Sequence, residues 1–289
     1  MEGYISVLVL SVAVLMACSP VQSVQITSTP VVGSTRISDK DGMTLMSVSS
    51  DEFTMGSEAE DALPLCEKFG TNCPLVDLKD EEPQHTVYLD SFWVDQTEVT
   101  NAKYAECVRA GQCDPPASTK SYKRESYFGD PDFADYPVVS VNWNMAKSYC
   151  EWADRRLPTE AEWEKAARGE DARDFPWGNE FPNNDLLNFR DFLGDTTGVG
   201  RYPMGISPYG ALDMAGNVWE WVTDWYGEKY YSTSPASNPL GPDSGTERVL
   251  RGGGFGSRVY TLRTTFRAAG APTDAFAWIG FRCALNGMH

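Results

Sequence analysis

Alternation of apolar and polar side chains predicts the first strands of this chain. Residues 43–48 and 53–55 are predicted to form a hairpin, and residues 85–94 are predicted to form one longer strand. Between them, residues 57–80 are acidic and follow neither a strand nor a helix period. We interpret residues 57–80 as an irregular surface insertion.

Three helices are predicted from capping residues and helical periodicity. The first begins at Thr100, whose hydroxyl is a good N-cap. The second begins after Asn142 or Asn144 and repeats apolar side chains at helical spacing. The third begins with a capping box formed by Thr159 and Glu162. This capping box is a structural feature and needs no functional explanation.

A run of tryptophans and acids follows the turn signal at residues 216–217. Residues 218–222 are predicted to form a strand, with two tryptophans on one face and Glu220 between two valines on the other. A single carboxylate on an apolar face is costly unless it is paired. Either an arginine elsewhere pairs with Glu220, or a cation binds it together with Asp213 and turn carbonyls, the oxygen ligands that calcium prefers.

The amino-terminal segment predicts export. Residues 5–17 form an apolar run that is too short to span a bilayer but has the length of a signal-peptide core. Residues 15–18 read Leu-Met-Ala-Cys and resemble a bacterial lipobox, in which Cys18 carries the lipid. Residues 1–4 lack the lysine or arginine that usually precedes such a core. The alternative is an ordinary cleaved signal peptide, and either interpretation exports the protein.

This interpretation divides the chain into three parts. Residues 1–17 are the lipoprotein signal peptide, residues 18–40 are a lipidated flexible tether, and residues 41–289 are the folded domain. The expected location is the cell envelope, with the lipid at Cys18 anchoring the protein on the extracytoplasmic side of a bacterial membrane.

Composition and charge limit the classes of partner that the protein is expected to bind. The net charge is −17, which argues against nucleic acid and against electrostatic binding to anionic membrane surfaces. The chain contains 25 glycines, 18 prolines and nine tryptophans, which favours a compact, loop-rich domain over a helical bundle. We expect a monomer.

The cysteine count indicates disulfides. Of the seven cysteines, six remain once Cys18 is set aside for the lipid, and an even number in an exported chain suggests bridges. Short loops favour two local pairs, and the third pair joins the middle of the domain to its end. The expected pairs are Cys66–Cys73, Cys107–Cys113 and Cys150–Cys283.

Seven motifs, in order along most of the chain, resemble the formylglycine-generating-enzyme, or sulfatase-modifying-factor, family. They are FTMGS at 53–57, QTEVTN at 96–101, RLPTEAEWE at 156–164, FPWG at 175–178, DMAGNVWEW at 213–221, RGG at 251–253 and GFRC at 280–283. The resemblance implies a single loop-rich α+β domain of the formylglycine-generating-enzyme type, related to C-type-lectin-like folds. It also supports the Cys150–Cys283 bridge. Fold similarity does not fix the reaction.

The resemblance further implies calcium in a structural role. The second family site corresponds to the side chains of Asp213 and Glu220 and the backbone oxygens of Gly216 and Val218. The first family site corresponds to Asn188, Phe189, Asp191 and Leu193.

The oxidase chemistry of the family is expected to be absent. In the family, two cysteines that follow the Arg-Gly-Gly motif bind copper(I), which requires soft thiolate ligands. This chain has Ser257 and Leu262 at those positions. A hydroxyl and an isobutyl group cannot replace two thiolates, so we expect no copper.

Five residues remain as candidates for a binding groove. Arginines beside aromatic rings could bind a carboxylate, a sulfate or a peptide. The candidates are Ser257, Arg258, Tyr260, Arg263 and Arg267. The alternative is that Arg263 and Arg267 are buried partners of core acids such as Glu220 or Asp224.

Two functions follow from these observations. The first is a cell-surface lipoprotein whose calcium-stabilised, non-oxidase domain binds a peptide, glycan or protein partner. The second is a protein-modifying oxidoreductase of the same family that acts on exported substrates.

Overall fold

A computed structural model describes residue 1 and residues 33–68, 75–190 and 192–287, with side chains placed except at 65–68 and 75–77. Within these ranges the chain forms ten strands and four α-helices. The strands are β1 (Thr35–Ile37), β2 (Thr44–Val48), β3 (Asp51–Met55), β4 (His85–Leu89), β5 (Phe92–Asp95), β6 (Trp219–Trp225), β7 (Arg248–Arg251), β8 (Ala268–Gly270), β9 (Ile279–Phe281) and β10 (Ala284–Asn286). The helices are α1 (Ala59–Lys68), α2 (Asn101–Arg109), α3 (Trp143–Trp152) and α4 (Glu160–Arg168).

The described strands form three sheets. One four-stranded sheet has the order β1-β2-β5-β10, and a second has the order β8-β7-β6-β9. Strands β3 and β4 form a separate two-stranded sheet. In the second sheet β6 is central, antiparallel to β7 and parallel to β9. The predicted strand at 218–222 is therefore confirmed and extends to Trp225.

The predicted hairpin between residues 43–48 and 53–55 is wrong, although both strands exist. Strand β2 pairs with β1 and β5, whereas β3 pairs with β4. The buried ammonium group of Lys165 donates to the carbonyls of Ser49 and Asp51 at 2.9 and 2.8 Å. These two bonds hold the corner at which the chain leaves one sheet for the other. The predicted strand at 85–94 is likewise divided into β4 and β5.

The described parts of the segment 57–80, residues 57–68 and 75–80, form regular structure that the sequence did not predict. They contain α1, and Ala59, Ala62 and Leu78 are buried against Tyr260 and Phe266. The prediction of an irregular surface insertion is therefore wrong. The acidic side chains of this segment obscured a narrow apolar stripe of small residues.

The three predicted helix starts are confirmed. The Thr100 hydroxyl accepts from the backbone N–H of Lys103 at 3.3 Å, and the Asn142 side chain caps α3. At the start of α4, Thr159 and Glu162 form both bonds of the capping box, at 3.1 and 2.8 Å. Of the two predicted starts of α3, Asn142 and Asn144, the structure has Asn142 as the N-cap.

Two of the expected disulfides are present. Cys150 of α3 is bridged to Cys283, which follows β9, with the two Cα atoms 5.6 Å apart. The local Cys107–Cys113 bridge closes the turn after α2. The expected Cys66–Cys73 bridge involves residues outside those for which side chains are described.

The domain begins earlier than the sequence suggested. Strand β1 occupies Thr35–Ile37 and pairs with β2, inside the segment 18–40 that was interpreted as a tether. Cys18 lies outside the described residues. No helix among the described residues is both long enough and apolar enough to cross a membrane.

Candidate functional site

Glu220 of β6 is paired with an arginine in the protein interior. The Arg282 guanidinium donates to both Glu220 oxygens, from Nε and Nη2, at 2.7 Å each. The indole N–H of Trp163 donates to Glu220 Oε2 at 2.8 Å. Glu220 and Arg282 are fully buried. The geometry therefore supports the arginine alternative for Glu220.

Two further carboxyl groups lie beside this ion pair. Asp213 accepts from the backbone N–H of Gly200 at 2.6 Å, and Glu98 accepts from the Asn217 side-chain amide at 3.0 Å. The second oxygen of Glu98 is buried and meets no hydrogen-bond donor. The carboxyl cluster of Glu98, Asp213 and Glu220 thus shares the single charge of Arg282.

This excess of carboxyl groups favours protonation of Glu98. Burial raises the pKa of Glu98 well above its ordinary value, and the charges of Asp213 and Glu220 raise it further against the opposing effect of Arg282. Burial also raises the pKa of Asp213, while the hydrogen bond from the backbone N–H of Gly200 and the charge of Arg282 lower it. Protonation of Glu98 leaves two carboxylates, Asp213 and Glu220, to share the charge of Arg282.

In this arrangement Glu220 is not free to act as a ligand of the second predicted calcium site. Both Glu220 oxygens already accept hydrogen bonds, and Arg282 supplies the positive charge that a cation would bring. A Cβ added at Gly216 would stand 2.4 Å from the carbonyl oxygen of Asn188, so the backbones of the two predicted calcium sites approach each other closely. Val218 is fully buried beside it.

One residue of the first predicted calcium site, Asn188, has an oxygen that suits a cation. The side-chain oxygen of Asn188 is buried and has no hydrogen-bond partner, while its amide nitrogen donates to the Asp195 carbonyl at 2.9 Å. A buried oxygen with no donor suits a cation. Phe189 is buried, Leu193 is exposed, and Asp191 lies outside the described residues. No group of three or more His, Cys, Asp or Glu side chains in the described part of the chain is arranged to hold a metal ion.

Ser257 and Leu262 face each other across Gly253. A Cβ added to Gly253 would stand 2.9 Å from Leu262 Cδ2 and 3.1 Å from Ser257 Oγ. The two positions that carry the family's thiolates are therefore neighbours in space. The Ser257 hydroxyl accepts from the backbone N–H of Gly254 at 2.8 Å and closes a turn. Leu262 is fully buried in an apolar cluster.

Most of the predicted groove residues are not available to a ligand. Arg263 forms an ion pair with Glu81, and Arg267 contacts both oxygens of Glu160 at 2.7 and 2.8 Å. Both arginines are 2% exposed, and Tyr260 is buried against Phe266. The assignment of these three residues to an open groove is therefore wrong. The alternative of buried partners for core acids holds, although the acids are not Glu220 and Asp224.

Only Ser257 and Arg258 of the predicted groove reach the surface. Further residues lie beside this surface in the structure and were not predicted from the sequence. Tyr122 packs 5.6 Å from Phe255, measured between ring centroids, and the backbone N–H of Arg190 donates to the Ser257 carbonyl at 3.2 Å. These contacts join distant loops, so no local pattern could have revealed them.

The sheets, the bridged helix and the Gly253 turn define an α+β domain of the formylglycine-generating-enzyme type. A family model described as "Sulfatase-modifying factor enzyme 1-like domain" matches residues 35–287. The chain belongs to this family.

Relatives in the family carry several different names. The formylglycine-generating enzyme of Streptomyces coelicolor is 34% identical over 257 residues, which cover 71% of this chain and 81% of the enzyme. The serine/threonine-protein kinase pkn1 of Chlamydia pneumoniae is 41% identical over 224 residues, or 72% of this chain. The chain spans only 35% of the length of that kinase.

Solved structures share the fold over nearly the whole domain. PvdO from Pseudomonas aeruginosa superposes with a TM-score of 0.72 at 25% identity, covering 89% of this chain and 99% of PvdO. Treponema denticola variable protein 1 superposes with a TM-score of 0.65 at 21% identity, covering 89% of this chain and all of that chain, a likeness of fold alone. The expected fold class is confirmed.

The variants Glu220→Gln and Glu98→Gln should differ in how much they lower the free energy of unfolding. Glu220→Gln breaks the buried, doubly hydrogen-bonded ion pair with Arg282 and should lower the free energy of unfolding by about 3 kcal/mol. Glu98→Gln replaces a protonated carboxyl with a neutral group of the same shape, so its cost should stay below about 1 kcal/mol. Urea denaturation of both variants and the wild type measures these values.

The contribution of Glu98 to the stability of the domain should depend on pH. Because the folded pKa of Glu98 is raised, its contribution to stability is complete below the unfolded pKa and is lost as the pH rises through the folded pKa. Glu98→Gln should lack this loss, so its free energy of unfolding should rise relative to that of the wild type as the pH rises.

A chelator tests the pairing of Glu220 with Arg282. A chelator that lowers the melting temperature of the wild type, but not of Glu220→Gln, would contradict this pairing and assign calcium to Glu220.

Proposed function

We propose that this chain is an exported bacterial lipoprotein whose domain binds a partner protein, peptide or glycan and does not catalyse copper-dependent oxidation. The observation that carries the proposal is the pair Ser257 and Leu262 on either side of Gly253. Each cysteine with a described side chain is in a disulfide, so none of these thiols is available to a metal. Calcium remains part of the proposal only at Asn188, with the adjacent carbonyl of Phe189.

A protein-modifying oxidoreductase is the second candidate. Relatives named formylglycine-generating enzyme and hercynine oxygenase, both 34% identical to this chain, favour it. Such a reaction needs ligands for a redox metal, and copper(I) prefers thiolates. The two candidates therefore differ in a quantity that can be measured, the copper content of the purified protein.

Restoring the thiol pair should restore copper binding. The wild type is expected to bind no copper(I) and to consume no oxygen with a Cys-x-Pro-x-Arg peptide. The variant Ser257→Cys, Leu262→Cys places two thiols on either side of Gly253 and should bind one copper(I) ion in competition with a chromophoric chelator. Ser257→Cys alone is the control and should bind much more weakly. Stoichiometric copper and oxygen consumption in the wild type would favour the oxidoreductase.

Lipidation at Cys18 is tested by labelling and fractionation. The wild type should incorporate radiolabelled palmitate and remain in the membrane pellet after a salt wash, because a lipid anchor is insensitive to salt. Cys18→Ser should lose the label and appear in the soluble fraction. An unlabelled, soluble wild type would instead indicate an ordinary cleaved signal peptide.

Blocking the surface at Ser257 should abolish partner binding. Ser257→Trp places a large ring on the half-exposed turn, whereas Ser257→Ala removes only the hydroxyl that accepts from Gly254. Cross-linking in envelope vesicles should capture a partner with the wild type and with Ser257→Ala, but not with Ser257→Trp. Ser232→Trp adds the same ring at another exposed site and is the matched control. Equal capture by all four proteins would place the binding site elsewhere.

A further inference from the structure

Three unpaired cations surround the surface beside Ser257. Lys123, Arg190 and Arg258 are exposed, and none has an ion-pair partner within the described ranges. Their neighbour Arg124 is paired with Asp195 at 3.0 Å, and Lys120 is paired with Glu125. The whole chain carries a net charge of −17, so a local group of three free cations is opposite in sign to the net charge of the chain.

Contacts between loops bring these cations together. The backbone N–H of Arg190 donates to the Ser257 carbonyl at 3.2 Å, so Arg190 and Arg258 come from segments in direct contact. The Lys123 side chain lies over Gly194, where an added Cβ would stand 1.7 Å from its Nζ. The backbone N–H of Lys123 donates to Asp195 at 2.9 Å, which fixes its loop in place.

Exposed aromatic rings lie among the cations. Tyr122, Phe192 and Trp278 are 57%, 64% and 38% exposed. The Tyr122 ring lies 6.4 Å from Trp278, and Trp278 is stacked on Phe276 at 4.8 Å. Such rings present rigid apolar faces that lose little entropy when a partner covers them. The cationic rim is defined by Tyr122, Lys123, Arg190, Phe192, Arg258 and Trp278.

We infer that the cationic rim binds an acidic polypeptide segment of another protein. Arginine, tyrosine and tryptophan supply most of the binding energy in protein interfaces, which favours a polypeptide over a glycan. The three cations attract carboxylates locally, against the net negative charge of the whole chain, so an acidic segment is favoured at this surface. This inference rests on the proposed binding function and specifies the chemistry of the partner.

The charge of the rim also disfavours the peptide substrate expected for an oxidase of this family. A Cys-x-Pro-x-Arg peptide carries a cation that Lys123, Arg190 and Arg258 repel. Like charges brought together at an interface weaken binding. The rim therefore opposes the peptide that an oxidase of this family would need.

A peptide-display library tests the inference with the purified full chain. Random 12-residue peptides selected on the wild type should be enriched in Asp and Glu. The binding of a selected peptide, measured by fluorescence anisotropy, should weaken by about tenfold or more in Lys123→Glu, Arg190→Glu, Arg258→Glu. It should also weaken as salt is raised, because exposed charges are screened.

A second triple variant provides the matched control. Arg36→Glu, Arg109→Glu, Lys229→Glu changes the net charge equally at exposed sites outside the rim. It should bind the selected peptide about as well as the wild type, and both triple variants should keep the wild-type melting temperature.

Three results would overturn the inference. They are selected peptides with no excess of acids, equal binding by both triple variants, and retention on heparin without any acidic peptide, which would identify an anionic glycan. If Ser257→Trp still abolishes capture of a partner in any of these cases, the proposed function stands and only the acidic partner is wrong.

Discussion

Buried arginines paired with carboxylates hold this domain together. Arg251 at the end of β7 is fully buried and donates to Glu164 of α4 at 2.6 Å. The same guanidinium donates to the carbonyls of Thr264, Thr265 and Phe266 at 2.7 to 2.9 Å. Irregular backbone in a protein interior must find donors for its carbonyls, and a guanidinium supplies five N–H groups in one plane. One side chain thus joins a strand, a helix and a loop.

The same constraint explains why the candidate groove is smaller than the sequence suggested. Arg263 and Arg267 are needed inside the domain, where Glu81 and Glu160 neutralise them. A buried ion pair contributes little net stability when it is compared with apolar residues, but removal of one partner is severely destabilising. These arginines are therefore committed to the fold and cannot serve a ligand at the surface. Cations for binding must come from loops that the fold does not need, such as those of Arg190 and Arg258.

Sequence reasoning succeeded where an interaction is local. The capping box of Thr159 and Glu162 spans three residues, and the order of the family motifs fixes the fold over most of the chain. It did not predict which acid meets which arginine, because Arg263 and Glu81 are 182 residues apart. Charge alone makes every acid an equally good candidate for every arginine. The hairpin prediction failed for a related reason, since the Lys165 contacts that turn the chain come from a distant helix.

The contacts of Ser257 and Leu262 show that both residues support the scaffold. Leu262 fills an apolar cluster and so contributes to packing at a position where a thiolate would be poorly solvated. Ser257 closes its turn through a backbone hydrogen bond, which keeps the loop in shape. Neither residue takes part in the ion pairs of the buried arginines. The surface beside them is therefore free to change its charge and its partner while the fold remains the same.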